Sequence, residues 1–248
     1  MTKRKPILIS LLAATGLVGL ALSPAFNTQV VNVIWQGDST PRTTGPLTNA
    51  WVQMLVEQAH DNIFLFNPGP AQLAMNEHPY VYHAHVQRDY LARVIDVHIV
   101  PRQQTAYVQF GTGSYLRIDR EGFVMSTTDQ LSESLPVVTG LDFTHFTVGS
   151  ALQTVHDQAF EVIALFADIF VAFELTSDVV TLDPTDVHNI RLGYGNIVVN
   201  LGTPTDLAEK VRIFLSVKDI PEIYFHKSIG GQLNITNIET NWTFNILT

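Results

Sequence analysis

The sequence predicts an α+β protein: one membrane-crossing helix, a strand–helix–helix–strand–strand unit, and a mixed α/β second half whose open sheet ends in an edge strand. Three observations predict it. The chain opens Lys3-Arg4-Lys5 and then carries no charge from Pro6 through Phe26. Within about 75 residues after that run, hydrophobic spacing switches from alternating to helical and back to alternating. From Ala106 onward, short alternating stretches are punctuated by glycine turns and interrupted by two helical patterns.

Ile7 to Phe26 is 20 residues, which as a helix is roughly 30 Å, the thickness of a bilayer core. Its membrane-anchoring residues would be Ile7, Leu11, Leu12, Leu17, Val18, Leu20 and Leu22. The next basic residue after Lys5 is Arg42, so positive charge orients residues 1–6 to the cytoplasm and the remainder outside it. A cleaved signal peptide is the other reading, with Ile7–Leu22 as its apolar region and Ser23-Pro24-Ala25 as small residues before the cut. Both readings export the same domain.

Gln29–Trp35 is β-branched and alternating, a strand stopped by Gln36-Gly37-Asp38. Thr48–His60 places Trp51, Met54, Leu55 and Ala59 at helical spacing, with Thr48 or a nearby residue as N-cap. Asn67-Pro68 opens a second helix running to Glu77 and closed by His78-Pro79. Tyr80–Asp89 and Val94–Val100 read as strands, with Ile95, Val97 and Ile99 on one face and Asp96 and His98 on the other. Two helices then cover one face of a three-stranded sheet.

In the second half, Thr105–Phe110 and Ser114–Ile118 flank Gly111-Thr112-Gly113 as a hairpin, and Asp119-Arg120-Glu121-Gly122 turns into a strand at Phe123–Ser126. Ala151–Phe170 reads as a long helix and Phe173–Leu182 as a strand. Asn189–Leu192 and Asn196–Leu201 form a pair around Gly193-Tyr194-Gly195, and Thr205–Val217 is a helix. Pro221–Phe225 reads as the final strand. Leu233–Leu247 alternates loosely, as further strand or tail.

Composition excludes several functions. The net charge is −9, and no basic cluster exists beyond residues 3–5, so nucleic acid has no electrostatic footprint to bind. With no cysteine there is no thiolate metal site and no thiol nucleophile. No G-x-S-x-G elbow occurs, and Gly111-Thr112-Gly113 is too short for a phosphate loop. The enzymatic alternative is an exported metal enzyme on the face carrying His83, His85 and His98, with His78 nearby and Glu77 or Asp96 as oxygen ligand. Its bland counterpart is a set of histidines on the solvent side of a hairpin. Asp157 and Glu161 stand at i, i+4, a spacing that suits a cation as well as a solvated helix face.

Ordered motifs carry a family resemblance. In the first half they are Val31-x-Val33-Ile34-x-x-Gly37, Asn62-Ile63-Phe64 and His78-Pro79-Tyr80-Val81-x-x-Ala84-x-Val86-x-Arg88. In the second they are Ala106-Tyr107, Tyr115-Leu116-x-Ile118-Asp119-x-x-Gly122-Phe123-Val124, Leu135-Pro136-Val137-Val138-Thr139-Gly140, and Val198-x-x-Leu201-Gly202 followed by Lys210. Together these resemble the bacterial cell-division family FtsQ, called DivIB in Gram-positive bacteria, over residues 7–226. The chain departs from it at Pro101-Arg102-Gln103-Gln104-Thr105-Ala106, and at Tyr224, where many members carry an aspartate.

The resemblance implies a single anchor at 7–26, left uncleaved, a POTRA domain at 28–101, a β domain at 102–226 and a tail at 227–248. It implies a non-enzymatic divisome scaffold in the bacterial cell membrane at the division septum. Its partners would be FtsB/DivIC-like and FtsL-like bitopic proteins, linked to septal peptidoglycan synthesis, with no cofactor, nucleic acid or small-molecule substrate. The family's partner adds a strand to the last edge of the β domain. Here that edge would be Glu222, Ile223, Tyr224, Phe225 and His226, with Lys210 and Arg212 meeting acidic partner residues and Gly230 following. If the tail itself forms a strand on that edge, through Leu233, Ile235 and Ile238 or Trp242, Phe244 and Ile246, the binding site moves outward to the tail.

Overall fold

The computed structural model describes residues 23–36, 46–59, 61–131, 135–175, 181–239 and 242–246. They fall into two compact units, divided between Arg102 and Gln103. The anchor residues Ile7, Leu11, Leu12, Leu17, Val18, Leu20 and Leu22 lie outside the described residues.

The first unit begins with a 3₁₀ turn, Pro24–Phe26. Strand β1 (Val30–Trp35), helix α1 (Asn49–Glu57), helix α2 (Pro68–Asn76), strand β2 (Val81–Asp89) and strand β3 (Val94–Pro101) follow. The sheet order is β1-β3-β2, with β3 parallel to β1 and antiparallel to β2. Both helices start where side chains satisfy free N–H groups. Thr48 Oγ1 accepts from the Trp51 N–H at 3.2 Å, and Asn67 Oδ1 accepts from the Gly69 N–H at 3.1 Å ahead of Pro68. Trp35 Nε1 donates to Asn49 Oδ1 at 2.7 Å, tying the end of β1 to the start of α1. Ile95, Val97 and Ile99 of β3 are buried with Val52 and Val56 of α1 and Ala71 and Met75 of α2.

The second unit holds β4 (Ala106–Gly111), β5 (Ser114–Ile118), β6 (Val124–Thr128), β7 (Val137–Val138), α3 (Ala159–Ala172), β8 (Thr181–Asp183), β9 (Ile190–Tyr194) and β10 (Ile197–Gly202). Helices α4 (Leu207–Val217) and α5 (Pro221–His226) and strands β11 (Gly231–Asn234) and β12 (Thr243–Ile246) complete it. Nine strands form one sheet in the order β12-β11-β10-β9-β8-β7-β4-β5-β6. Strand β7 is parallel to β4 and β8, β11 is parallel to β10, and the other pairs are antiparallel. Phe166 and Phe170 of α3 and Val211 and Phe214 of α4 are buried in its core. Asp119 shapes the β5–β6 turn by accepting from the Glu121 and Phe123 N–H groups at 2.9 and 2.8 Å. Gly122 has φ +77°, and a Cβ there would stand 2.5 Å from the Phe160 ring, so both conformation and space demand glycine.

The expected fold class is corrected. The described residues hold twelve strands in two sheets against five α-helices, so this is a mostly-sheet protein. No helix among the described residues is long and apolar enough to cross a membrane. The end of the expected anchor is instead the 3₁₀ turn, with Phe26 packed against the first unit's core. The POTRA assignment is likewise unsupported: the first unit's element order is too general an arrangement to carry that name.

Several second-half expectations change for physical reasons. Helix α3 starts at Ala159 rather than Ala151, because the backbone at 149–152 is committed to β6 and the turn before it: Ser150 accepts from the Val124 N–H and the Leu152 N–H donates to Gly122. Asp157 therefore precedes the helix, and Glu161 lies in its first turn. Phe173 caps α3 instead of opening a strand, and residues 176–180 lie outside the described residues. Leu135-Pro136-Val137-Val138, part of no element expected from the sequence, contributes a two-residue strand inside the sheet.

The largest correction is at 221–226. The expected edge strand is helix α5, with Pro221 in its first turn and the Tyr224 N–H donating to the Ile220 carbonyl at 2.9 Å. A strand would bury Ile223 and Phe225 together; here only Ile223 is buried. The place beside β10 is taken by β11.

Candidate functional site

The open end of the nine-stranded sheet is β12. Its four residues pair with β11 in the register Gly231↔Ile246, Gln232↔Asn245, Leu233↔Phe244 and Asn234↔Thr243. Phe244 shares the core face with Leu233, and its ring lies over Gly231, where a Cβ would come within 2.6 Å of it. Glycine leaves the ring a seat that holds β12 in place. No described residue pairs with the other side of β12, so alternate backbone N–H and C=O groups there face outward.

Helix α5 stands beside this edge. The His226 ring meets the Phe244 ring edge-on at 5.5 Å, and the Phe225 ring meets His226 in the same way at 5.5 Å. His226 Nδ1 donates to the Glu222 carbonyl at 2.6 Å, which fixes the imidazole. Tyr224 is 61% and Phe225 66% exposed, and Ile229 and Ile246 are also exposed. The Phe225 ring reaches β12 through His226 and Phe244, and neither Tyr224 nor Phe225 contributes to the core.

The link from α5 to β11 is fixed by hydrogen bonds. The Asn196 N–H donates to the Lys227 carbonyl and Asn196 Nδ2 to the Ser228 carbonyl, both at 2.8 Å. The Lys227 ammonium lies 4.5 Å from the centre of the Tyr194 ring. Burial raises the pKa of the Tyr194 phenol above its ordinary value. Gly230, buried and with φ +135°, donates its N–H to the His226 carbonyl and turns the chain into β11.

The structure separates the residues expected to act together. Glu222, Tyr224 and Phe225 are exposed on a helix, His226 is half-buried against Phe244, and Ile223 anchors the helix in the core. Lys210 is 3% exposed and donates to the Thr203 carbonyl at 2.9 Å, so it serves the β10–α4 connection rather than a partner. Burial lowers its pKa, with Asp206 opposing the shift. Arg212 is exposed, but its guanidinium is held by Glu209, with Nε donating to Oε2 at 2.9 Å. The same hydrogen bonding lowers the pKa of Glu209 and raises that of Arg212. The edge residues Thr243 and Asn245 escape sequence reading; the alternation of Trp242, Phe244 and Ile246 is their only signal.

The histidine face does not converge on a metal centre. His85 and His98 are direct cross-strand partners and His83 lies opposite Val100, all three exposed. Among the described residues no group of three potential ligands could hold an ion. His78 packs its ring 4.8 Å from Trp51, and burial lowers its pKa.

Set against known proteins, the chain matches no family model and no curated protein.

Proposed function

We propose that this chain is a non-enzymatic scaffold of the FtsQ/DivIB kind. It acts outside the cytoplasm, at the membrane of a dividing bacterium. It holds FtsB/DivIC-like and FtsL-like partners and, through them, septal peptidoglycan synthesis. The observation that carries the reading is the β12 edge, which no described strand covers, together with the exposed Phe225 ring joined to it through His226 and Phe244. Such an edge binds an extended segment by strand addition, the backbone supplying hydrogen bonds and flanking aromatics supplying anchors. The ordered motifs from Val31 to Lys210 support the family, and the basic-then-uncharged order of residues 3–26 supports the location.

The test is a binding measurement between residues 23–248 and the extracytoplasmic segment of an FtsB/DivIC-like partner. Proline is placed in turn at Phe244 and at Asn245. Alternate N–H groups face outward, so one of the two substitutions removes a donor from the open edge. At least one is expected to abolish binding. Tyr224→Ala with Phe225→Ala should weaken it by about 30-fold, from about 2 kcal/mol of lost anchoring. Full binding by both proline variants would sink the site.

A further inference from the structure

The turn joining β2 to β3 carries a second exposed apolar group, at the point where the chain enters the first unit. Leu91 is 98% exposed at its tip. The tip is held in shape, since Asp89 Oδ1 accepts from the Leu91 and Ala92 N–H groups at 2.8 and 2.9 Å. Behind Leu91 runs a ladder of rings. Tyr90 stacks on Phe64 at 5.5 Å, Phe64 meets Phe26 edge-on at 5.1 Å, and the Arg88 guanidinium lies 4.8 Å from the centre of the Tyr90 ring. Phe64 and Tyr90 are themselves exposed.

Arg93 of the same turn, together with Asn62 from the link between α1 and α2, grips the end of the uncharged run. Arg93 Nη1 donates to the Ala25 carbonyl, and Asn62 Nδ2 donates to the Ser23 carbonyl at 3.2 Å. Residues 23–26 are thus fastened to this tip, and the uncharged residues 6–22 continue directly from it. A leucine at a hairpin tip, amphipathic rings behind it and two arginines beside them are the chemistry of a bilayer interface. Apolar atoms enter the acyl boundary, the tyrosine hydroxyl stays wet, and arginines reach phosphates. Arg88 and Arg93 each give one donor to a carbonyl, Arg88 to that of Phe66, and keep others free.

We propose that the β2–β3 turn is a membrane-surface contact. Leu91, Tyr90 and Phe64 would seat in the interface of the bilayer at which the chain is proposed to act, with Arg88 and Arg93 at lipid phosphates. The contact rests on the membrane location proposed above. It orients the first unit on the bilayer. Asp89 offsets one of the two positive charges, so apolar insertion drives the contact and anionic lipid strengthens it only modestly.

The chain has no cysteine, so single labels are clean. The full chain is reconstituted in phosphatidylcholine vesicles containing a minor share of phosphatidylglycerol. A polarity-sensitive dye is attached through Leu91→Cys or, as control, through Leu73→Cys, which is 60% exposed on α2. The expected result is a blue-shifted label at 91, quenched severalfold more than the label at 73 by lipids carrying an interfacial spin label. Co-sedimentation with equal quenching at the two positions overturns the contact and leaves the location standing. Failure to co-sediment overturns both. A label at 91 that is shielded from iodide but not quenched by lipid points to a protein occupant and also overturns the contact.

Discussion

The two ends of the nine-stranded sheet are finished in opposite ways. At β6, the loop at 149–152 lies along the strand and the turn before it. The Val124 N–H donates to Ser150, the Gly149 N–H donates to Val124, and Phe123 bridges Ala151. The far end of β6 curls on itself, Thr128 Oγ1 bonding both the N–H and the carbonyl of Gln130. At β12 nothing described plays that part, and the apolar groups around it are exposed. The first unit shows a third solution at β2. Asn76 Oδ1 accepts from the Ala84 N–H at 2.7 Å while Nδ2 donates to the Ala84 carbonyl at 3.3 Å, and Gln72 Oε1 accepts from the Val86 N–H at 3.1 Å. Four residues of helix rise about 6 Å and two of strand about 6.6 Å. Side-chain amides at i and i+4 of α2 therefore match alternate residues of β2 and stand in for a neighbouring strand. β6 and β2 are covered by a loop and by a pair of side-chain amides, and β12 has no such cover among the described residues, which is the contrast the proposed strand addition rests on. β1 also ends its sheet, and no described strand covers its outer side.

That contrast can be broken from the open side first. Gly231→Val drives a side chain into the Phe244 ring and should detach β12 from β11. The overpacking costs about 1–3 kcal/mol, and hydrogen exchange should show faster amides at 243–246 with the rest of the sheet unchanged. Partner binding should fall by more than tenfold. Binding kept at full strength with β12 released would place the site elsewhere. From the closed side, Gln72→Ala with Asn76→Ala uncovers three backbone groups of β2. Each lost bond is worth about 1 kcal/mol, so the Ala84 and Val86 amides should exchange about fivefold faster or more. Concentration-dependent self-association is expected to follow, because a freed edge is a template for a second copy. A variant as well protected as the parent would show that α2 shields β2 without those amides.

Local chemistry with an immediate neighbour was legible in the sequence. Thr48 and Asn67 announce helix starts because their side chains serve N–H groups two or three residues away. Ile95, Val97 and Ile99 announce a buried face because strand periodicity alternates strictly. Asp119 and Gly122 announce their turn for similar reasons. The failures share a different cause. Strands β7 and β8 are two and three residues long, too short to show a period, and are defined by what lies on either side of them. Pro221–His226 is apolar enough to be strand or helix, and its choice was made by β11 occupying the flank of β10. That one error moved the candidate edge. Tyr224 and Phe225 stay exposed, on a helix, while the last strand of the sheet is β12, where the tail's loose alternation was the only hint.

The smallest effect concerns charge, and it separates the two cations once paired as partner contacts. Arg212→Ala should change partner binding by less than about threefold, since an exposed ion pair already satisfied by Glu209 contributes about 0–1 kcal/mol. Lys210→Met should leave binding unchanged and instead alter the pH dependence of stability. Burial lowers the folded pKa of Lys210 below its ordinary 10.5, so over that alkaline window the unfolded chain holds the proton more tightly. Stability from this group therefore rises as pH increases from the folded value toward 10.5 and is lowest below it. Chemical denaturation of residues 23–248 across that window should show a positive contribution that disappears in Lys210→Met. A loss of partner binding in the same variant would mean that the open edge reads charge after all, through a residue the fold keeps covered until the partner arrives.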